Sequence, residues 1–120
     1  MIDNRLAPHL TLKPGAVVDP TANLSGTENF PTVIGAYTVI EAGVRIRGAN
    51  IGDYATLRAN SAVEEGVYIG DYAIVEENTR LPAGAKVPSR AVVSGDPFSI
   101  VRGLTRKEID EAETRPSGVL

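Results

Sequence analysis

Few side chains in this sequence are suited to acid–base, nucleophilic or metal chemistry. There is one histidine, His9, and no cysteine in 120 residues. An imidazole is the usual base for taking a proton from a hydroxyl or amine near neutral pH. His9, however, lies between Pro8 and Leu10 near the start of the chain, where an exposed terminal histidine is the plainer reading. The lack of cysteine excludes disulfides, thiolate metal sites and a cysteine nucleophile together. Arg47 carries a permanent charge and a planar fork that grips a carboxylate-like anion in a bidentate way. Asp53 and Asp71 recur in Gly-Asp-Tyr triplets. Stacked carboxylates can hold calcium, but two alone make a poor site, and turn formation accounts for both. Tyr37, Tyr54 and Tyr72 are three of only four tyrosines, and their even spacing makes a contact strip the functional alternative to plain stacking.

A repeat must position these groups. Ile51-Gly52-Asp53-Tyr54-Ala55 returns eighteen residues later as Ile69-Gly70-Asp71-Tyr72-Ala73, and Ile34-Gly35-Ala36-Tyr37-Thr38 precedes it by seventeen. An aliphatic residue recurs every six positions through Ile34, Ile40, Ile46, Ile51, Leu57, Val63, Ile69, Val75, Leu81, Val87 and Val93, with one five-residue step from Ile46 to Ile51. Leu12, Val18 and Leu24 keep the same beat earlier. Four residues after each aliphatic stands a small or β-branched residue, such as Ala16, Thr38, Ala55, Ser61 or Ala73. Six fits neither the 3.6 period of a helix nor the alternation of a strand in a two-layer sheet. It fits a triangular coil of three short strands, each pointing one aliphatic inward.

The expected fold is all-β: a single-stranded parallel β-helix over residues 10–97, in about five coils, preceded by an arm over 1–9 and followed by a C-terminal segment over 98–120. Ser25 to Val33 interrupts the beat and is expected to project as a loop. Thr105-Arg106-Lys107-Glu108 reads as a capping box opening a helix over about 106–115, stopped by Pro116. Ile100, Val101, Leu104 and Ile109 are expected to fasten it to the coil wall. Stacking the coils puts Arg47 beside Glu64, and Glu41, Arg58 and Glu76 in one column, so charge ladders explain these residues without a ligand. Glu64-Glu65 and Glu76-Glu77 read as solvated corners, and the three tyrosines form one column.

Twelve basic against fifteen acidic residues give a net charge of −3. That disfavours nucleic acid or an anionic membrane as partner, since both require a basic face. No run approaches the roughly 20 apolar residues that span a bilayer. Met1-Ile2-Asp3-Asn4-Arg5 has no basic segment followed by an apolar run, so no signal peptide is expected and the cytoplasm is the default location.

The repeat resembles that of the bacterial hexapeptide transferases, which implies a left-handed coil. Three segments narrow the resemblance to the γ-class carbonic anhydrases: Phe30-Pro31-Thr32-Val33-Ile34-Gly35, the short step Ile46-Arg47-Gly48-Ala49-Asn50, and the exit Val93-Ser94-Gly95-Asp96-Pro97 through Thr105. That family binds zinc with three histidines in the cleft between subunits of a trimer. Carried onto this chain, the ligand positions are Ser25, Ala42 and Arg47, none of which can complete the site. The resemblance therefore implies no zinc, no cofactor and no catalytic residue of the family's kind, and a homotrimer with Ser25, Ala42 and Arg47 near the contact. The sequence is also similar to the β-helical pointed-end subunits of dynactin through Asn29-Phe30-Pro31 and the Leu81-Pro82 to Gly95 exit, which adds a second β-helical protein stacked end-on as a possible partner. The leading expectation is a non-catalytic scaffold or assembly subunit. The alternative is a metal-independent acyltransferase with His9 as base, a lyase with Arg47 gripping a carboxylate, or a small-molecule binder in the same cleft. A packed, ladder-filled cleft favours the scaffold; an open pocket with Arg47 unpaired favours the others.

Overall fold

The computed structural model describes residues 8–115. The six-residue beat folds as expected into a left-handed parallel β-helix of hexapeptide repeats with about five coils and three walls. The first wall stacks β1 (Leu10–Leu12), β4 (Thr32–Ile34), β7 (Ala49–Ile51), β10 (Val67–Ile69) and β13 (Lys86–Val87). The second stacks β2 (Val17–Val18), β5 (Val39–Ile40), β8 (Thr56–Leu57), β11 (Ile74–Val75) and β14 (Ala91–Gly95), and the third β3 (Asn23–Leu24), β6 (Arg45–Ile46), β9 (Ala62–Val63) and β12 (Arg80–Leu81). All these neighbours pair in parallel. β15 (Phe98–Gly103) then turns back and pairs antiparallel with β14.

Register explains the beat. Ile34, Ile51, Ile69 and Val87 pair in line on the first wall, Ile40, Leu57, Val75 and Val93 on the second, and Ile46, Val63 and Leu81 on the third. Each of these eleven is no more than 1% exposed, so every coil buries its aliphatics against the coils above and below. The small residues fill the corners: Ala55, Ala73 and Ser61 are fully buried there. Thr38 joins them because its hydroxyl is satisfied, donating to the Gly52 carbonyl at 2.7 Å and accepting from Ala55 N–H at 3.2 Å.

The walls meet at corners with different chemistry. Between the first and second walls stand Tyr37, Tyr54 and Tyr72, all in the left-handed region with φ near 60°. Such a backbone costs a bulky residue about 1–2 kcal/mol. The rings offset part of this by stacking in one column, with centroids 5.4 and 5.2 Å apart. Asparagines (Asn60, Asn78) and Gly43 take the same conformation at the second corner. At the Gly35 turn the coils approach so closely that a Cβ would run into the Gly52 carbonyl, which explains the repeated glycine beside each tyrosine turn.

The C-terminal helix α1 (Arg106–Glu113) is shorter than the expected 106–115, because Thr114 caps it; Pro116 lies outside the described residues. Its capping box is formed as anticipated, with Thr105 Oγ1 accepting from Glu108 N–H and the Glu108 carboxylate accepting from Thr105 N–H. One expectation fails. Ile100 and Val101 do not fasten the helix; both are 55% exposed, because they belong to β15, which extends the second wall beyond the last coil and has no strand on its far side among the described residues. Ala112 makes the buried contact of the helix, and Leu104 and Ile109 are half-buried.

Candidate functional site

The corner between the third and first walls carries the expected chemistry. After β3 the chain leaves the coil at Ser25 and rejoins it at Thr32, so the projecting loop is two residues shorter than the sequence suggested. Thr32 Oγ1 ties the loop's base by donating to Ser25 O at 2.6 Å. One coil on, β6 is followed by Arg47 and the shortened turn at Gly48. A Cβ on Gly48 would meet the Phe30 carbonyl at 2.5 Å, so the five-residue step is where the loop lies down on the coil.

Ser25 and Arg47 are thereby neighbours, with Ser25 N–H donating to the Ile46 carbonyl at 2.9 Å. They line an open recess of about 370 Å³ together with Asn23, Thr27, Arg45 and Glu65. Ala42 does not join them; it sits exposed in the turn between β5 and β6, at the other edge of the third wall. His9 opens β1 on the same corner as the recess, exposed, with its carbonyl accepting from Thr32 N–H at 2.8 Å. Among the described residues there is no group of three or more metal-binding side chains.

The charge ladders form in part. Arg47 Nε lies 3.8 Å from Glu64 Oε1, a loose pair whose arginine side chain is 65% exposed. Arg58 Nε lies 3.0 Å from Glu76 Oε1, without the angle of a hydrogen bond. The third member departs from the ladder: the Glu41 carboxylate accepts Ala59 N–H at 3.0 Å, because a corner amide of the next coil stands closer than the Arg58 guanidinium. Asp53 and Asp71 also serve corners, accepting the amides of Ala36 and Asp53 in the coil below at 2.8 and 2.9 Å.

The tyrosine column meets α1. Tyr72 Oη donates to Glu113 at 2.7 Å, which pushes the phenol up to about 12. Arg115 donates to the carbonyls of Tyr37 and Ala55, each at 3.0 Å, and to the Thr56 hydroxyl. On the first wall, Phe30, Pro31, Val33, Val67 and Tyr68 line a separate apolar groove of about 350 Å³. Sequence reasoning passed over Arg45 in the recess and the contacts of Arg115 just beyond the helix, and read Glu65 only as a solvated corner. Arg45 was legible in principle, since it stands two places before Arg47 in an extended run and hence faces the same way.

No family model matches the chain, and no curated protein matches it. Solved structures do. A serine acetyltransferase in complex with cysteine superposes with a TM-score of 0.72 and 20% identity, over 87% of this chain and 43% of that one. A serine acetyltransferase from Neisseria gonorrhoeae in complex with serine gives 0.68 and 24%, over 79% and 40%. A hexapeptide transferase family protein from Anaplasma phagocytophilum gives 0.65 and 16%, over 88% of each chain. The chain spans about two fifths of the length of the serine acetyltransferases it matches. These neighbours give the narrower likeness to carbonic anhydrases no support. At such identities the likeness establishes the architecture alone: this chain folds as a hexapeptide-repeat β-helix of the kind on which those acetyltransferases are built.

Proposed function

We propose that this chain is a metal-independent acyl-transfer protein that handles a small anionic acceptor at the Ser25–Arg47 corner and assembles as a homotrimer. The observation that carries the reading is the open recess, where Arg45 has no carboxylate partner among the described residues and Arg47 holds Glu64 only loosely, at 3.8 Å. Arg45 and Arg47 stand two residues apart on one face and grip the acceptor's carboxylate. The His9 imidazole takes the proton of the acceptor's hydroxyl or amine as that atom attacks a thioester carbonyl. The carbon–sulfur bond breaks, and the departing thiolate takes the proton from the imidazolium. The shared architecture with acetyltransferases supports the same class of chemistry. A thin prism gains from burying a side against copies of itself, and closed threefold symmetry suits a triangular body.

The test is thiol release from acetyl-coenzyme A in the presence of hydroxy- and amino-carboxylates, serine among them, with light scattering on the same sample. Acceptor-dependent release that disappears in His9→Gln, at unchanged thermal stability, is expected. No release with any acceptor refutes the reading and leaves the second one. That second reading is a non-catalytic scaffold in the γ-carbonic-anhydrase-like mould. The observation favouring it is the exposed pair Ile100 and Val101 on β15, at the end of the prism where another β-helix would stack.

A further inference from the structure

The outward positions of the third wall form one registered row: Asn23 beside Arg45, Arg45 beside Ala62, and Ala62 beside Arg80. Neighbouring strands lie about 4.8 Å apart, so Arg45 and Arg80 straddle Ala62 at roughly 10 Å between their α-carbons. Their side chains are long enough to meet above the alanine methyl.

This row differs from the other described arginines, each of which has a partner; Arg90 lies over the Tyr72 ring and Arg115 donates to backbone carbonyls. Arg47 pairs with Glu64, Arg58 with Glu76, Arg102 with Glu108 and Arg106 with Asp110. Among the described residues neither Arg45 nor Arg80 has a carboxylate at ion-pairing distance. On the neighbouring rows the position one coil beyond the arginine holds an acid, Glu64 after Arg47 and Glu76 after Arg58. Here it holds a methyl group, in a chain with more acidic than basic residues. The wall has two cations and a gap the size of the missing anion.

We infer that the Arg45–Ala62–Arg80 slot binds the phosphate group of a small ligand. Two unmatched guanidiniums call for a dianion, and a phosphate monoester carries about −1.5 to −2 at pH 7, where a carboxylate carries one charge. Phosphate oxygens also match the guanidinium fork in a bidentate way. Polyanions are excluded by Glu64, Glu65, Glu76 and Glu77, which flank the wall at its two corners. Arg45 lines the Ser25 recess as well, so a ligand held by its phosphate over Ala62 directs the rest of its body into that recess. The slot stands whether or not acyl transfer takes place beside it.

Inorganic phosphate is the probe, titrated against thermal unfolding at constant ionic strength with chloride as the balancing salt. A saturable rise in the midpoint is expected, about 4–6 °C at ten times the dissociation constant for a chain of this size. Arg80→Gln, which does not line the recess, removes the saturable part and leaves only the shallow linear effect of an excluded salt. Ala62→Glu places the missing carboxylate in the gap; it raises the midpoint without phosphate and abolishes the response to phosphate. An equal saturable response in wild type, Arg80→Gln and Ala62→Glu overturns the inference, as does the absence of any saturable response in the wild type. Acyl transfer is measured separately, so loss of one result leaves the other intact.

Discussion

Replacing Ile69 by alanine is the most direct test of the coil's phase. Ile69 is 0% exposed and pairs in register with Ile51 below and Val87 above. The substitution removes three carbons, worth about 2.4 kcal/mol at roughly 0.8 kcal/mol per buried methylene. Flanking side chains on stacked strands cannot collapse far into the void, so a cavity contribution brings the expected loss to about 3–4 kcal/mol. The assay is urea unfolding followed by circular dichroism at fixed protein concentration, reading a lower midpoint at unchanged slope. Lys86→Ala, one residue before Val87 and outward-facing, serves as the comparison and should stay within about 0.5 kcal/mol. A loss below about 1 kcal/mol for Ile69→Ala, or an equal loss for Lys86→Ala, refutes the inward assignment.

Two further outcomes follow from local geometry. The Glu108 carboxyl is drawn down from 4.5 to about 2, first by its hydrogen bond from Arg102 and then by the Thr105 amide. A depressed folded-state value means its contribution is present above pH 4.5 and lost as the pH falls towards 2, so Glu108→Gln should flatten the fall in unfolding midpoint across that window; parallel pH profiles for the two proteins contradict this. Asn78 sits at φ 60°, so Asn78→Ala should cost about 1 kcal/mol by urea unfolding while Asn78→Gly stays within about 0.5; equal costs rule out the backbone as the cause.

What the sequence disclosed was whatever repeats. The aliphatic beat assigned the inward-facing residue of each strand from Ile34 to Val93, because a solenoid maps sequence spacing directly onto stacking register. The same mapping placed the tyrosine column and the Arg47–Glu64 and Arg58–Glu76 pairs. The capping box was legible because it is local. The Ser25 loop and the five-residue step were legible as gaps in the beat, whereas features outside the coil were missed. β15 runs antiparallel, and its partner is set by a turn at Asp96-Pro97 rather than by the beat; Gly-Asp-Pro between two β-rich runs was the available signal. Glu41 was misassigned because a ladder argument counts charges and ignores corner amides. The Arg115 contacts to Tyr37, Ala55 and Thr56 join positions about 60 to 80 residues apart and have no signature in spacing. Of the site, Ser25 and Arg47 line one recess without Ala42, and Arg45 escaped notice because the resemblance directed attention to three positions only.

The reach of Arg115 has a consequence for how the chain acquires its stability. In a bare solenoid each coil holds only its neighbours, and the two ends unravel independently. Here the last described residue grips the coils of Tyr37 and of Ala55, while Glu113 grips the coil of Tyr72, so three successive coils share one fastening. That fastening is made after the coils in synthesis. A nascent chain with four coils already emerged is still unlocked, and rigidity arrives only when residues 113–115 follow. Translation arrest before that point should leave a protease-sensitive nascent chain, and completion should turn it into a resistant one in a single step.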